Sequence, residues 1–430
     1  MAVGFLFIGL LVLLFAGVPI MASLLGATFA SAIVGNENLL AVVQRYFTSV
    51  DSFSLIAVAF FMLSGSVMEK GGVSKRLIDL ISLDLDRLPG GLAIVAIVAS
   101  AFFGAISGSA PATVAAIGGL MLPAMLEAGY SRAFALATVA TAGCLGSVIP
   151  PSIMMVNYGV SAEVSVGDLF ITGFFPGILL TLAFSVYAYF HGKKHNLYLP
   201  ASKAAKKDWK TRVKVFLGAI PALLMPVIIL GGIYGGIFTP SEAGCVAAVY
   251  GFVAGFFIYR ELKPKMVPSI CVETLVNTSM IMAIMGGAGA FGSLMTKYQV
   301  TTAVANGITG MTSSPLVFLI LFNVFMLVVG CFMEANAAII LVTPILLPVA
   351  KSFGIDPLFF GIIMVLNVVF GLLTPPVGIN LYVACGIKGY KMSEILKGPL
   401  WCYIGICLGM LLLFTYCPSI TLLFHTLFST

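Results

Sequence analysis

Two segments, GSVIPP at residues 146–151 and GLLTPP at 371–376, place a double proline inside an otherwise apolar run. Proline has no backbone N–H and its ring clashes with the preceding turn, so neither run can be one straight helix. The two interruptions lie 225 residues apart, and Pro123 with Pro348, Gly129 with Gly354 and Gly146 with Gly371 repeat at the same offset. GVPIMASLLGA from Gly17 resembles FTPSEAGCVAA from Phe238 at an offset of 221. The chain is therefore two copies of one unit, and any fold it adopts must place the same broken element twice.

What surrounds these breaks is too apolar for water. Of 430 residues, 60% are hydrophobic and 9% charged, against roughly 25% charged in an average soluble domain. Apolar runs near the roughly 20 residues that cross a bilayer as helix fall at 2–17, 19–35, 50–69, 131–158, 168–191, 214–236, 240–260, 268–296, 355–387 and 393–418, ten in all. The stretches 91–127 and 314–350 are interrupted by GAISGSAPAT and GCFMEANAA, and read as re-entrant hairpins whose tips are buried in protein. SKRLIDLISLDLDRL at 74–88 alternates apolar and charged residues at helical spacing, which predicts an arm lying along the membrane surface. Residues near 301–312 are its expected counterpart.

The charges give an orientation. With both termini outside, the inside loops hold 19 of the 22 basic residues, eight of them between Lys193 and Lys214; only Arg45, Lys297 and Lys351 fall outside. Lys and Arg concentrate in cytoplasmic loops, so the net charge of +6 needs no nucleic-acid partner. The N-terminus lacks a basic n-region and runs into further apolar sequence, which predicts a first crossing and not a cleaved signal peptide. Eight cysteines in apolar segments include no CxxC and read as small core residues. Residues 1–191 and 214–430 are the expected repeats, joined by a cytoplasmic linker at 192–213. With five crossings each, an odd number, the second must be inverted relative to the first. Inverted repeats with broken helices at the midplane are the architecture of secondary transporters.

The candidate site residues lie at the interruptions. Broken backbone offers carbonyls and hydroxyls, hard oxygen ligands that suit a small alkali cation. The first set is Ser107, Gly108 and Ser109 at the tip with Gly146, Val148 and Pro150 at the break. The second is Glu334, Ala335 and Asn336 with Gly371, Thr374 and Pro376. Half-helix N-termini at the breaks would hold an anionic group, and Ser107, Ser109, Thr113, Ser152, Glu334, Asn336 and Asn380 are the polar groups expected around it. Glu334 is the acid at a tip, at a depth where ionisable groups are functional by default; the alternative is a carboxylate that only caps the hairpin. Glu242, after Thr239-Pro240-Ser241, is expected to cap a helix. No GxxxxGK[ST], HExxH or GxSxG occurs, so neither an ATPase nor a hydrolase is indicated, and the expected energy source is an ion gradient. No cofactor is expected beyond sodium as coupling ion.

GAISGSAPATVAAIGGLMLPAMLEAGYSRAFA, GSVIPPSIMMVNYG and LLTPPVGINLYVACGI resemble the large membrane subunit of tripartite ATP-independent periplasmic (TRAP) transporters, over essentially the whole chain. The resemblance implies an elevator-type, sodium-coupled symporter in a bacterial inner membrane, with both termini periplasmic. It also implies a carboxylate-bearing substrate delivered by a soluble periplasmic binding protein, and a separate small four-helix membrane subunit that braces the scaffold. The hairpins and broken helices would form the moving part and the other crossings the scaffold. Within the family the likeness is to sialic-acid-type members. The neighbouring reading is a stand-alone sodium/dicarboxylate symporter; a membrane enzyme with Glu334 as base and a channel are readings from other classes.

Overall fold

The computed structural model describes residues 1–198, 208–312 and 314–428; the middle of the expected linker, 199–207, lies outside them. Among the described residues every regular element is helical. The first half runs α1 (Ala2–Phe15), α2 (Ile20–Val34), α3 (Leu39–Val50), α4 (Phe53–Lys70), α5 (Val73–Ile81), α6 (Gly91–Ser107), α7 (Ala110–Glu127), α8 (Arg132–Val148), α9 (Ile153–Ala162) and α10 (Val166–Lys194). The second runs α11 (Trp209–Tyr234), α12 (Pro240–Val253), α13 (Val267–Lys297), α14 (Val300–Met311), α15 (Pro315–Phe332), α16 (Ala335–Ser352), α17 (Pro357–Gly371), α18 (Ile379–Gly386), α19 (Met392–Ile395), α20 (Gly398–Tyr416), α21 (Pro418–Thr421) and α22 (Leu423–Phe428). Backbone polar groups have no water partner in lipid, and helices satisfy them internally. The chain is an all-α polytopic membrane protein with paired broken helices and paired hairpins.

Helix starts follow local capping chemistry. Ser131, Ser165 and Asp356 accept from Phe134 N, Asp168 N and Phe359 N at 3.3, 3.2 and 2.9 Å. Thr239 and Glu242 form a reciprocal capping box, Thr239 N donating to the carboxylate at 2.8 Å, so this acid has the structural role its position suggested. The expected arm is helical over Val73–Ile81, followed by a 3-10 turn at Leu85–Arg87. Arg76 holds it down by bonding Glu261 and stacking over Tyr259, 4.3 Å from the ring centre. α14 occupies the expected counterpart region. The amphipathic α3, between α2 and α4, was not anticipated, because its 12 residues are too few to register as a span.

α8 from Phe134 and α17 from Phe359 are buried on every face, the condition of a helix at the centre of a bundle. They touch where Cys144 Sγ donates to the Val369 carbonyl at 3.5 Å. These two positions are 225 apart in sequence, so equivalent points of the two halves meet, as they must where a two-fold axis passes between the helices. The packing is exchanged accordingly: α9 lies on α16 of the other half, and α18 lies on α7 and α8. Around this centre the helices sort into two blocks. α10 packs on α6, α8 and α17 and α20 on α8, α10 and α17, whereas α1–α4 and α11–α13 pack chiefly on one another; α5 and α14 lie against the hairpin limbs α6 and α16. The ion pairs Lys70–Glu273, Arg76–Glu261, Arg132–Glu394, Arg212–Asp84 and Lys297–Glu37 each join two residues that the sequence placed on the same membrane face.

Candidate cation and acid site

The structure brings each hairpin tip against the break of its own half. In the first half α6 ends at Ser107, Gly108 turns the chain with a φ of +62°, and Ser109 precedes α7. α8 stops at Val148 and α9 restarts at Ile153 with a 41° bend, and the Pro150–Pro151 bond is cis. Tip and break are stitched together: Ala110 N donates to Ser147 Oγ at 2.8 Å, and Ile153 N to the Gly108 carbonyl at 3.3 Å. The fit requires glycine. A Cβ on Gly104 would lie 2.6 Å from Gly146 Cα, and one on Gly108 2.8 Å from the Pro151 carbonyl.

The second half repeats the arrangement. Gly330 and Gly371, the latter the equivalent of Gly146, meet so closely that a Cβ on Gly371 would lie 2.6 Å from Gly330 Cα. Cys331 Sγ donates to the Thr374 carbonyl at 3.0 Å, and the Pro375–Pro376 bond is cis. The halves differ in access. Ser107, Gly146, Val148, Pro150 and Ser152 are buried, with Ser109 part-buried, whereas Glu334, Asn336 and Thr374 are part-buried and Pro376 is exposed.

Most oxygens freed by the prolines find new donors. Pro150 and Pro151 remove the donors to the Gly146 and Ser147 carbonyls, and Ser152 Oγ replaces the second at 2.6 Å. At the other break Thr374 N bonds the Gly371 carbonyl at 2.9 Å and Asn380 N the Leu372 carbonyl at 3.2 Å. That leaves the Gly146 carbonyl without its helical donor. Ser107 Oγ and Thr113 Oγ1 are 3.0 Å apart, and Thr113 also donates to the Ser109 carbonyl at 2.8 Å. The Val148 carbonyl faces α10, 3.2 Å from where a Cβ on Gly173 would sit.

Glu334 is the N-cap of α16: one oxygen accepts from Ala337 N at 2.9 Å and the other from Asn336 Nδ2 at 2.8 Å. Ala335 is buried in the first turn behind it. Asn336 Oδ1 in turn accepts from Asn157 Nδ2 on α9 at 2.9 Å, so a side-chain chain links the second tip to the first broken helix. Sequence reasoning missed Asn157 and Ser147; the available signals were an Asn inside the apolar run 153–162 and a hydroxyl inside the first break. Asn380 is not joined to the tips. It donates to the Ala140 carbonyl at 3.3 Å and Cys144 Sγ at 3.4 Å on α8.

A crevice of about 490 Å³ lies at the C-terminal end of α9, lined by Ser52, Ser54, Glu163, Ser165, Ile233 and Phe238 among others, between the two helix blocks. A larger groove of about 650 Å³ between α6, α10, α11 and α22 is almost wholly apolar. Among the described residues no group of three His, Cys, Asp or Glu could hold a metal ion.

Residues 7–420 match the family described as tripartite ATP-independent periplasmic transporter, DctM component. The chain is 44% identical over 412 residues to the isethionate TRAP transporter permease protein DctMQ of Oleidesulfovibrio alaskensis, covering 96% of this chain and 64% of that protein. It is 40% identical over 380 residues to the C4-dicarboxylate TRAP transporter large permease protein DctM of Pseudomonas aeruginosa, covering 88% and 87%. It is 35% identical over 424 residues to the sialic acid TRAP transporter large permease protein SiaM of Vibrio cholerae, covering 98% and 97%. Among solved structures it resembles the YdaH transporter of Alcanivorax borkumensis, with a TM-score of 0.60 at 16% identity, covering 88% of this chain and 87% of that one; this likeness concerns the fold alone.

Proposed function

We propose, on the premise that this chain belongs to the DctM component family of tripartite ATP-independent periplasmic transporters, that it is the large permease of a sodium-driven importer of an organic acid. The observation that carries the reading is the doubled tip-and-break unit, in which Ser109 with Gly146 and Glu334 with Thr374 offer hard oxygens at two related places. Sodium at the first would use Ser107, Gly108, Ser109 and the Gly146 and Pro150 backbone, with the Val148 carbonyl, turned to α10, outside the set. At the second it would use Glu334, Ala335, Asn336, Gly371, Thr374 and Pro376. The acid lies between them, near Ser107, Ser109, Thr113, Ser152, Glu334 and Asn336. Asn380, on α18 and bonded to α8, is proposed to act from outside that direct set.

The relatives named for isethionate, C4-dicarboxylate and sialic acid share an anionic substrate, and an acid is what half-helix N-termini and bound cations would hold. We assign the moving block to α6–α10, α15–α18 and α20, on their mutual packing, and the scaffold to α1–α4 and α11–α13. Elevator-type travel of the first block against the second would carry the site across the membrane. A small membrane subunit and a periplasmic binding protein are the proposed partners, and the bacterial inner membrane, with both termini outside, the proposed location.

The test is uptake in proteoliposomes holding this chain and its small subunit, under an inward sodium gradient, with and without the binding protein and with labelled isethionate, succinate or sialic acid. Uptake of one acid that requires sodium and the binding protein supports the reading. Uptake that proceeds without sodium overturns the coupling, and uptake of free acid without the binding protein points to a stand-alone symporter.

A further inference from the structure

Asn157 is wholly buried, and its amide is used on one side only. The polarity of its bonds is fixed from the far end. Glu334 takes a hydrogen on each oxygen, from Ala337 N and Asn336 Nδ2, as an ionised carboxylate does. Turning the Asn336 amide over would set its Oδ1 against Glu334, and turning Asn157 over would set two Oδ1 atoms against each other. The carboxylate therefore dictates that Asn336 presents Oδ1 to Asn157, that Asn157 answers with Nδ2, and that Asn157 Oδ1 is left over. That atom is shielded from solvent and has no partner among the described residues. A buried acceptor without a donor is costly, and native interiors rarely tolerate one without a reason.

α9 runs from the first tip, where Ile153 N meets Gly108, to the second, where Asn157 meets Asn336. An acid held between the tips lies along this helix. We propose that Asn157 Oδ1 accepts a hydrogen bond from a hydroxyl of the substrate, so that the site selects acids carrying one anionic group and a separate donor. This inference rests on the reading of the site as an acid site. The anionic end belongs with Ser109 and the first cation. At the other end Asn157 Oδ1, an acceptor with no hydrogen of its own, repels a second carboxylate and welcomes an O–H. Hydroxylated monoacids such as 2-hydroxyethanesulfonate or a sugar acid fit this pattern, and succinate does not.

The test uses the purified complex of this chain with its small subunit, without the binding protein, whose own selectivity would confuse the result. Thermal stabilisation is titrated in sodium with 2-hydroxyethanesulfonate, ethanesulfonate and succinate. The hydroxylated acid should act at a concentration at least about tenfold lower than its deoxy analogue, because the analogue leaves a buried acceptor unpaired. In Asn157→Leu that preference should shrink to about twofold or less, with sodium still required for the effect. Equal potency of the two sulfonates in the wild type overturns the proposal whether or not the variant folds, as does a preference that survives in Asn157→Leu. If both sulfonates stabilise equally, only this inference falls. If no acid stabilises the protein in sodium, the acid-site reading falls and takes this inference with it.

Discussion

The close approach of α6 to α8 offers a direct test of how tip and break are held. In Gly104→Ala the new methyl would sit 2.6 Å from Gly146 Cα, 2.9 Å from the Leu145 carbonyl and 3.0 Å from Gly146 N. All three are backbone atoms, so no rotamer change relieves the clash. Restoring an ordinary contact of 3.4 Å requires the helices to part by about 0.8 Å. Overpacking of this kind costs about 1–3 kcal/mol. The larger effect is on geometry: the bond from Ala110 N to Ser147 Oγ, 2.8 Å in the native packing, would stretch towards about 3.6 Å and cease to be one. Gly371→Ala meets Gly330 Cα at 2.6 Å and Cys331 N at 3.0 Å and should do the same to the second site. Gly119→Ala, with nothing within 4 Å of its new methyl, is the control, expected to leave stability unchanged or to add up to about 1 kcal/mol through helix propensity. The assay pairs the apparent melting temperature of the purified protein with the sodium concentration giving half-maximal uptake in vesicles. Both core variants should melt lower and require more sodium, while Gly119→Ala matches wild type. Native melting and native sodium dependence in both core variants would refute the reasoning, since the backbone contact would then have no bearing on the site.

Ser107→Ala removes one of two hydroxyls 3.0 Å apart at the first tip and should raise the half-saturating sodium concentration with little effect on melting; an unchanged sodium titration counts against Ser107 as a ligand. Glu334→Gln keeps an acceptor for Ala337 N but loses the one for Asn336 Nδ2 and so should cost about 1 kcal/mol of stability, yet remove the charge and cut uptake by about tenfold or more. Wild-type uptake in that variant would assign the carboxylate a capping role only. Beside the start of α8, the Lys391 N–H and the Arg132 guanidinium hold the Glu394 carboxyl below its ordinary value of 4.5. A depressed carboxyl stabilises the fold above its unfolded value and loses that contribution as pH falls through the folded value. The stability difference between wild type and Glu394→Gln should therefore be constant above about pH 5 and shrink in more acid solution, and a difference that grows on acidification would contradict the pairing.

The sequence by itself determined the elements that depend on local chain chemistry. Prolines at 150, 151, 375 and 376 end α8 and α17 wherever they are placed, apolar runs become helices because lipid leaves the backbone no other partner, and Arg76 and its neighbours mark an amphipathic arm. The repeat at 225 residues announced that equivalent positions share an environment, which Cys144 against Val369 bears out at the centre of the bundle. Other assignments depended on which distant segments touch. That Asn157 bonds Asn336, 179 residues away, that Asn380 turns to α8 and not to a tip, and that α10 and α20 join the hairpins are results of packing. A side chain's type and spacing state what bonds it can make, whereas the partner that satisfies them is set by the close fit of helices at Gly104 with Gly146 and Gly330 with Gly371. The freed carbonyls show the same division: proline releases an oxygen by its own covalent structure, and only the fold decides whether Ser152, Thr374, Asn380 or a cation answers it.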